Sequence, residues 1–175
     1  MSVGFIFSLL TFPGVMVHEL AHVLFCWLLG IRVVKVCLFR FGNPAGYVLH
    51  EEPANALQHM LISFGPFTVN TVLGAAVAAS ATVPLLHFTD PRISNLLIWL
   101  GVSIAMHAFP STGDAASLWH GIWSGRGCCL WRLIALPFVV LIYIGALGSV
   151  FLLNTAYGIF VALYLPRMVM HWVGW

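Results

Sequence analysis

Charged side chains are scarce in this chain: lysine and arginine number 7, and aspartate and glutamate number 5, among 175 residues. They make up 7% of the sequence, whereas about a quarter of the residues in a soluble domain are charged. This shortage excludes an ordinary soluble domain. The net charge of +2 is also too small and too dispersed to indicate a nucleic-acid partner.

Paired cysteines and a cleavable leader are also missing. The 4 cysteines, Cys26, Cys37, Cys128 and Cys129, show no CxxC spacing, so they support no redox inference. The first apolar segment has neither a basic region before it nor a small-residue cleavage site after it. We therefore expect a retained membrane span rather than a signal peptide.

Hydrophobic residues, by contrast, make up 61% of the chain, and its mean hydropathy is +1.01. A helix needs about 20 mainly apolar residues to cross a bilayer. Length and composition therefore predict an all-α polytopic membrane protein with four to five transmembrane helices. We expect a single domain, residues 1–175, in which residues 1–119 bear the motifs and residues 130–175 form additional C-terminal spans.

The apolar segments predict where these helices lie. The first three spans are expected at about Val3–Leu29, Ala56–Leu86 and Ile93–Phe109, with the second interrupted at Gly65-Pro66. The block Leu130–Trp175 is expected to hold two more spans that meet near Asn154. One long helix with an interfacial tail is the alternative for that block.

The segment Arg32–Glu52, between the first two spans, has a different pattern. β-Branched and aromatic residues dominate it, Gly42-Asn43-Pro44 is typical of a turn, and Gly46–Leu49 resumes the strand pattern. We predict a small β-hairpin at the membrane surface, onto which an extended peptide could add as a strand. An irregular amphipathic loop is the alternative.

Basic residues predict the orientation. Five of them follow the first or the third span: Arg32, Lys35, Arg40, Arg126 and Arg132. The short loop on the opposite side has only Arg92, so the positive-inside rule places the hairpin side in the cytoplasm. We expect a multi-pass protein of a prokaryotic plasma membrane, with its polar site nearer the cytoplasmic face.

The most informative motif is His18-Glu19-Leu20-Ala21-His22, inside the first span. Residues four apart lie on one helix face, so His18 and His22 can present two imidazole nitrogens to one metal ion. Glu19 is placed to act as general base on a water molecule there. Burying a charged group in a membrane helix costs about 2.5–3.5 kcal/mol. We therefore favour a metal site over polar groups that only tie helices together.

Catalytic zinc takes three protein ligands, and the remaining acidic residues supply the candidates for the third. They are Glu51, Glu52, Asp90 and Asp114. Helix rise places His22 and His18 roughly 10 and 16 Å inside the hairpin-side end of the first helix. Asp90 is then on the wrong side of the membrane.

Asp114 is the favoured third ligand. The Pro/Gly-containing segment before it, residues 110–113, can leave helical geometry and re-enter the protein. Glu51 and Glu52 are expected in solvent beside the hairpin, where one of them could still reach over the site.

With these residues assembled, the chain resembles the site-2 protease family of intramembrane zinc metalloproteases. Three motifs carry the resemblance. His18–His22 matches the HExxH motif, Gly65–Asn70 is similar to a family helix motif in which an asparagine follows Gly-Pro, and Phe109–Asp114 resembles the Pro-rich segment that delivers a ligand aspartate. The likeness covers about Val3–Trp119.

The resemblance implies a Zn²⁺ cofactor held by His18, His22 and Asp114. It also implies hydrolysis of peptide bonds in membrane-embedded or membrane-proximal proteins or peptides, with Glu19 as the catalytic base. The expected partners are therefore the substrate and the lipid bilayer. The oligomeric state is not predicted.

The substrate-holding residues match the family less well. The family commonly has an asparagine eight residues before the aspartate, where this chain has Met106 beside His107, and a glycine where Ala115 stands. His107 is expected to orient a ligand or to form an interhelical hydrogen bond. Asn70 is expected to bind the substrate backbone or the oxyanion, or to form an interhelical hydrogen bond.

Two rival classes of function remain. One is a non-proteolytic zinc-binding membrane protein that acts as a sensor, scaffold or transporter, and the other is a catalytically silent adaptor. The polar residues converge on one site instead of following a path through the bilayer, which argues against transport. Glu19 argues against the adaptor, because structural metal binding needs the histidines but not a base beside them.

Overall fold

The computed structural model describes residues 3–83, 90–124, 136–137, 140 and 150–174. These residues are mostly helical, with one small antiparallel sheet. The elements are α1 (Val3–Leu10), α2 (Phe12–Leu28), β1 (Val33–Cys37), β2 (Tyr47–His50), α3 (Ala56–Thr82), α4 (Pro91–Met106), α5 (Thr112–Ser124), α6 (Val150–Ile159), a π-helical turn (Phe160–Tyr164) and α7 (Leu165–Trp172). The predicted helical class, with a hairpin between the first two long helices, is confirmed.

One helix among the described residues, α3, is long and apolar enough to cross a membrane, judged by length and composition. The helices α2 and α4 are apolar but shorter, with 17 and 16 residues. The number of membrane crossings therefore stays a prediction.

The first predicted span is not one helix. The chain turns at Thr11, between α1 and α2, and the Thr11 hydroxyl donates to the Phe7 carbonyl at 2.7 Å. Pro13 follows in the first turn of α2, where its missing N–H costs no helical hydrogen bond. The break starts a new helix one and a half turns before the HExxH motif, so α2 carries that motif alone.

The predicted interruption of the second span at Gly65-Pro66 is wrong, because α3 continues through both residues. Asn55 caps its start by accepting a hydrogen bond from the Gln58 backbone N–H at 3.0 Å. At Gly65 the absent side chain leaves room for the ring of Phe25 from α2, which a Cβ would overlap. Phe25 of α2 therefore packs closely against α3 beside Pro66.

The predicted boundary between spans near Asn154 is also wrong. Asn154 lies inside α6, and the helical backbone continues through the π-helical turn into α7. Most of residues 125–149, with Cys128, Cys129, Arg126 and Arg132, lie outside the described residues.

Small residues bring the helices together away from the HExxH motif. A Cβ on Gly74 of α3 would lie 2.9 Å from the Gly101 carbonyl of α4, and a Cβ on Gly101 would lie 2.7 Å from the Gly74 carbonyl. Gly158 of α6 meets the Val102 carbonyl in the same way, at 2.9 Å. The α3–α4–α6 core therefore depends on close backbone approach.

The predicted hairpin within Arg32–Glu52 is confirmed. β1 and β2 pair antiparallel, with Val36 opposite Val48 and Cys37 opposite Tyr47. β1 ends at Cys37, and the loop that follows is closed by a 2.7 Å hydrogen bond from the Arg40 N–H to the Ala45 carbonyl. This loop and β2 reach towards the HExxH motif.

Candidate metal centre

The three sequence-predicted ligands come together. His18 and His22 of α2 and Asp114 of α5 each offer one ligand atom, and these atoms lie within 4.8 Å of one another. The two histidine Nε2 atoms are 3.2 Å apart. Asp114 Oδ1 lies 3.2 Å from His22 Nε2, and Asp114 Oδ2 lies 3.6 Å from His18 Nε2. Both histidines are buried, and the Asp114 side chain is 17% exposed.

The other candidate ligands lie elsewhere. Glu51 is exposed and pairs with Arg32 at 3.7 Å. Asp90 caps α4 by accepting a hydrogen bond from the Arg92 N–H at 2.8 Å. Glu52 is exposed on the segment after β2. Asp114 is therefore the acidic side chain that completes the group.

Pro66 explains how His22 is oriented. A proline has no N–H, so in α3 the carbonyl four residues earlier, that of Ile62, has no helical donor. His22 Nδ1 lies 3.1 Å from that carbonyl oxygen. Since a carbonyl only accepts, Nδ1 carries the proton and donates it. The proline that was expected to interrupt α3 instead frees the acceptor that turns His22 Nε2 towards Asp114.

The end of α4 orients His18 in a similar way. The helix α4 ends at Met106, so the carbonyl of the next residue, His107, is free to accept from outside the helix. His18 Nδ1 donates to it at 2.7 Å. Both imidazoles therefore hold their proton on Nδ1 and leave a lone pair on Nε2.

This donor set suits a divalent cation. With their protons on Nδ1, the neutral imidazoles turn two Nε2 lone pairs towards the Asp114 carboxylate, and a cation bound among these atoms would be ligated by all three. A tetrahedral zinc site with bonds of about 2.0–2.1 Å places its ligand atoms about 3.3 Å apart. The two Nε2 atoms are 3.2 Å apart and Asp114 Oδ1 is 3.2 Å from His22 Nε2, close to that value, whereas the contact with His18 is made by the other oxygen, Oδ2, at 3.6 Å.

Ser111 fixes the third ligand. It precedes α5, its N–H and its hydroxyl each donate to Asp114 Oδ2 at 2.7 Å, and the Asp114 N–H donates back to Ser111 Oγ at 3.2 Å. This is a reciprocal capping box at a helix N-terminus.

Glu19 is buried beside the three ligands but is not one of them. The hairpin loop lies directly against its side chain: a Cβ on Gly46 would be 2.7 Å from Glu19 Cγ and 2.9 Å from Glu19 Oε1. Only a glycine leaves room there for the carboxylate. The loop thus encloses Glu19 next to the ligand group, the environment expected of a catalytic base.

Asn70 lies between helices, which is the interhelical alternative of its two predicted roles. It is completely buried in α3, and its Nδ2 donates to the carbonyls of Gly14, Ile104 and His107 at 3.3, 3.0 and 3.3 Å. The last of these carbonyls also accepts from His18. Asn70 therefore holds the acceptor that orients a ligand, and it lines neither cavity beside the site.

His107 orients a ligand through its backbone instead of its ring. The ring Nδ1 donates to the Ser103 carbonyl within the same helix end at 3.0 Å. Its ring also lines a cavity beside His18. The predicted orienting role thus falls to the His107 carbonyl.

A cavity of about 480 Å³ opens over the ligand group. One wall is β2, which contributes Tyr47, Val48 and His50, and another is α3, which contributes the buried His59. Gly121 of α5 packs directly on the His59 ring. The size is within the roughly 300–1,000 Å³ of ligand pockets.

Sequence reasoning missed two contributors to this site. Ser111 was recognisable, because Ser111-x-x-Asp114 has the spacing of a capping box. The Ile62 carbonyl was recognisable in part, since it stands four residues before Pro66. Nothing in the sequence pairs that carbonyl with His22, which comes from another helix.

No family model, no curated protein and no solved structure matches this chain. The site-2 protease resemblance therefore rests on the motif residues alone.

Proposed function

We propose that this protein is an intramembrane zinc metalloendopeptidase of the site-2 protease type. The observation that supports the proposal best is the set of oriented donors. His18 Nε2, His22 Nε2 and the Asp114 carboxylate converge within 4.8 Å, while each imidazole donates its Nδ1 proton to a carbonyl. A buried carboxylate, Glu19, stands next to them without belonging to the group.

His18, His22 and Asp114 hold the zinc ion in this proposal. When bound, zinc polarises a carbonyl and lowers the pKa of water, which are the two needs of amide hydrolysis at neutral pH. Ser111 and the carbonyls of Ile62 and His107 keep the three ligands in position. No reorganisation of the ligands is then needed for each turnover.

Glu19 moves the proton. It accepts the proton of the attacking water as the new C–O bond forms at the scissile carbonyl carbon. It then delivers that proton to the amide nitrogen as the C–N bond breaks, so that a carboxylic acid and an amine leave. The Gly46 contact keeps Glu19 in the enclosed site, where few other proton acceptors compete.

An extended substrate can reach this site along the hairpin. β2 contributes Tyr47, Val48 and His50 to the cavity over the ligands, whereas no residue of β1 lines it. Strand addition, predicted for the hairpin as a whole, is therefore assigned to β2. Pairing with a strand keeps the substrate backbone extended and its amides accessible.

Metal analysis paired with two kinds of variant tests the proposal. We expect about one zinc ion per purified chain, as for a mononuclear site. His18→Ala and His22→Ala should lose the zinc ion, and Asp114→Ala should bind it much more weakly. Glu19→Gln should retain zinc but not cleave a membrane-embedded reporter substrate. A protein that binds zinc but whose activity is unchanged by Glu19→Gln would contradict the protease proposal.

Glu51→Ala and Glu52→Ala serve as matched controls, because both carboxylates are exposed and outside the ligand group. They should keep full zinc content. Loss of zinc in either control, with zinc retained in Asp114→Ala, would overturn the ligand assignment.

A further inference from the structure

A second cavity adjoins the ligand group from the other direction. Its volume is about 330 Å³, and it shares His18 and Glu19 with the larger cavity. Along α2 the larger cavity continues to His22, one turn after His18, whereas the second continues to Val15, one turn before it. The two cavities therefore flank the buried carboxylate of Glu19.

The part of the second cavity that lies away from the ligand group is mainly apolar. Phe7, Val15, Met106, Phe109 and Pro110 line it there, whereas its wall beside the ligands carries the polar residues that both cavities share. The Phe109 ring is held in place by aromatic neighbours, with its centroid 5.8 Å from that of Phe67 and 4.9 Å from that of Tyr157. The larger cavity adds the polar side chains of His22, His50, His59 and Asp114 to the lining that the two cavities share. The two sides of Glu19 thus offer different chemistry to a bound chain.

Asn154 adds one amide to this apolar wall. It stands in α6, it lines the second cavity, and it makes no hydrogen bond to any other described residue. An amide inside an apolar helix is costly unless its groups find partners. A peptide backbone passing through the cavity offers both a donor and an acceptor, whereas a lipid acyl chain offers neither.

We propose that the second cavity is the side-chain pocket for an apolar substrate residue beside the scissile bond, and that Asn154 hydrogen-bonds the backbone there. This inference rests on the proposed protease function. The substrate then runs from β2, past Glu19, into the second cavity. The volume of the second cavity lies at the lower end of the range for ligand pockets, roughly 300–1,000 Å³. A cavity of this size suits one large side chain and not a folded segment.

Cleavage of a set of peptides measures which side chains the pocket prefers. The peptides carry alanine, leucine, phenylalanine or tryptophan at successive positions, and the products are identified by mass spectrometry. At one position next to the cleaved bond, leucine should exceed alanine at least about tenfold in kcat/KM, as expected for the loss of several carbon atoms from an apolar pocket. Equal cleavage of all four peptides at every position would overturn the inference.

Two matched phenylalanine variants separate the pocket from general packing. Phe109→Ala enlarges the second cavity and should shift the preference from leucine towards tryptophan. Phe67→Ala removes a ring from the same aromatic cluster but lines neither cavity, so the preference should not change. An identical shift in both variants would show that the cluster, and not the cavity wall, sets the preference.

The amide of Asn154 is tested by its near-isostere. Asn154→Leu should raise KM for every peptide, because the backbone contact is lost, and leave the ranking of side chains unchanged. Leu153→Ala, at an exposed position of the same helix, should change neither. A change in kcat with unaltered KM would contradict a backbone-holding role for Asn154.

A binding experiment distinguishes failure of this pocket from failure of the protease proposal. The zinc-loaded Glu19→Gln protein, in detergent micelles, is mixed with a peptide that carries photo-leucine at the preferred position. Cross-links to Met106 or Phe109 support the pocket even if the wild-type protein cleaves nothing. Cross-links confined to Tyr47 or Val48, or co-purified lipid with no peptide cross-link, overturn it.

Discussion

The two halves of α3 show two different ways of holding a helix bundle together. Its C-terminal half packs through small residues, with Gly74 and Gly101 allowing the backbones of α3 and α4 to touch. Its N-terminal half carries Pro66 and extends to Asn70 at the centre of the helix, and hydrogen bonds to backbone carbonyls join this part to α2 and α4. Shape thus specifies the packing of the C-terminal half, and hydrogen bonds specify the packing of the N-terminal half.

The comparison teaches why the candidate site lies where it does. A regular helix uses its own carbonyls, so it has none left to orient a histidine. The N-terminal half of α3 has a proline that frees the Ile62 carbonyl, and the adjacent end of α4 frees that of His107. Two local irregularities supply the two acceptors that the histidines need.

The largest expected effect is on catalysis and concerns Glu19, the proposed base. Glu19→Gln should reduce kcat by roughly 10²–10⁴-fold, because the amide cannot accept the proton of water. Zinc content and thermal unfolding should stay at wild-type values, since Glu19 is not in the ligand group. Parallel measurements of turnover, zinc content and melting temperature decide whether the site that the N-terminal half of α3 supports serves chemistry or only folding.

The next largest effect concerns the Ile62 carbonyl, which Pro66 leaves without a helical donor. Pro66→Ala restores an N–H that competes with His22 for the Ile62 oxygen, so zinc affinity should fall by roughly 10–100-fold. The helix itself gains a hydrogen bond, and thermal stability of the zinc-free protein should not fall. Pro91→Ala is the matched control, because this exposed proline in the first turn of α4 frees no acceptor. Equal zinc affinity in both variants would contradict the orienting role of Pro66.

Asn70→Leu should affect both stability and metal. Removing the amide loses its hydrogen bonds to the Gly14, Ile104 and His107 carbonyls, each of which contributes about 0.5–1.5 kcal/mol to the free energy of unfolding. The His107 carbonyl is also less well held, so zinc affinity should decrease in the folded fraction. Denaturation in detergent and zinc titration measure the two effects separately. A loss of activity with normal zinc affinity and normal stability would instead assign Asn70 to the substrate.

A substitution at the contact between Gly74 and Gly101 should lower stability without changing zinc binding. Gly101→Ala places a Cβ 2.7 Å from the Gly74 carbonyl, and such overpacking costs about 1–3 kcal/mol. Zinc bound per folded molecule should be unchanged, because the contact is far from the histidines along α3 and α4. Val72→Ala, at a 65% exposed position of α3, is the control and should be close to neutral. Loss of zinc from folded Gly101→Ala protein would show that the two halves are not independent.

The smallest expected effect is at the capping box. Ser111→Ala removes the hydroxyl that donates to Asp114 Oδ2 and caps α5, at a cost of about 0.5–2 kcal/mol. Since the Ser111 N–H still holds Oδ2, zinc affinity should fall only slightly. Ser117→Ala, on the same helix, retains both cap contacts and should leave affinity and stability nearly unchanged. Complete loss of zinc in Ser111→Ala would make the hydroxyl, and not the backbone, the main support of Asp114.

Much of the architecture was predictable from local patterns. Strand-prone residues around a Gly-Asn-Pro turn predicted the hairpin, and its two strands are present. The break at Thr11 and the continuity of α3 through Pro66 were not predictable. A polar residue or a proline in an apolar segment can break a helix or be accommodated within it. Packing against neighbouring helices decides which of the two costs less free energy.

The sequence by itself determined that His18 and His22 share a helix face with Glu19 beside them, because helix periodicity alone requires it. The tertiary structure decided the rest of the candidate site. It brought Asp114 to the two histidines from more than ninety residues away, and it assigned the Ile62 and His107 carbonyls to orient them. Such contacts depend on how helices pack and where their backbone hydrogen bonds are missing, and no local pattern encodes the partner.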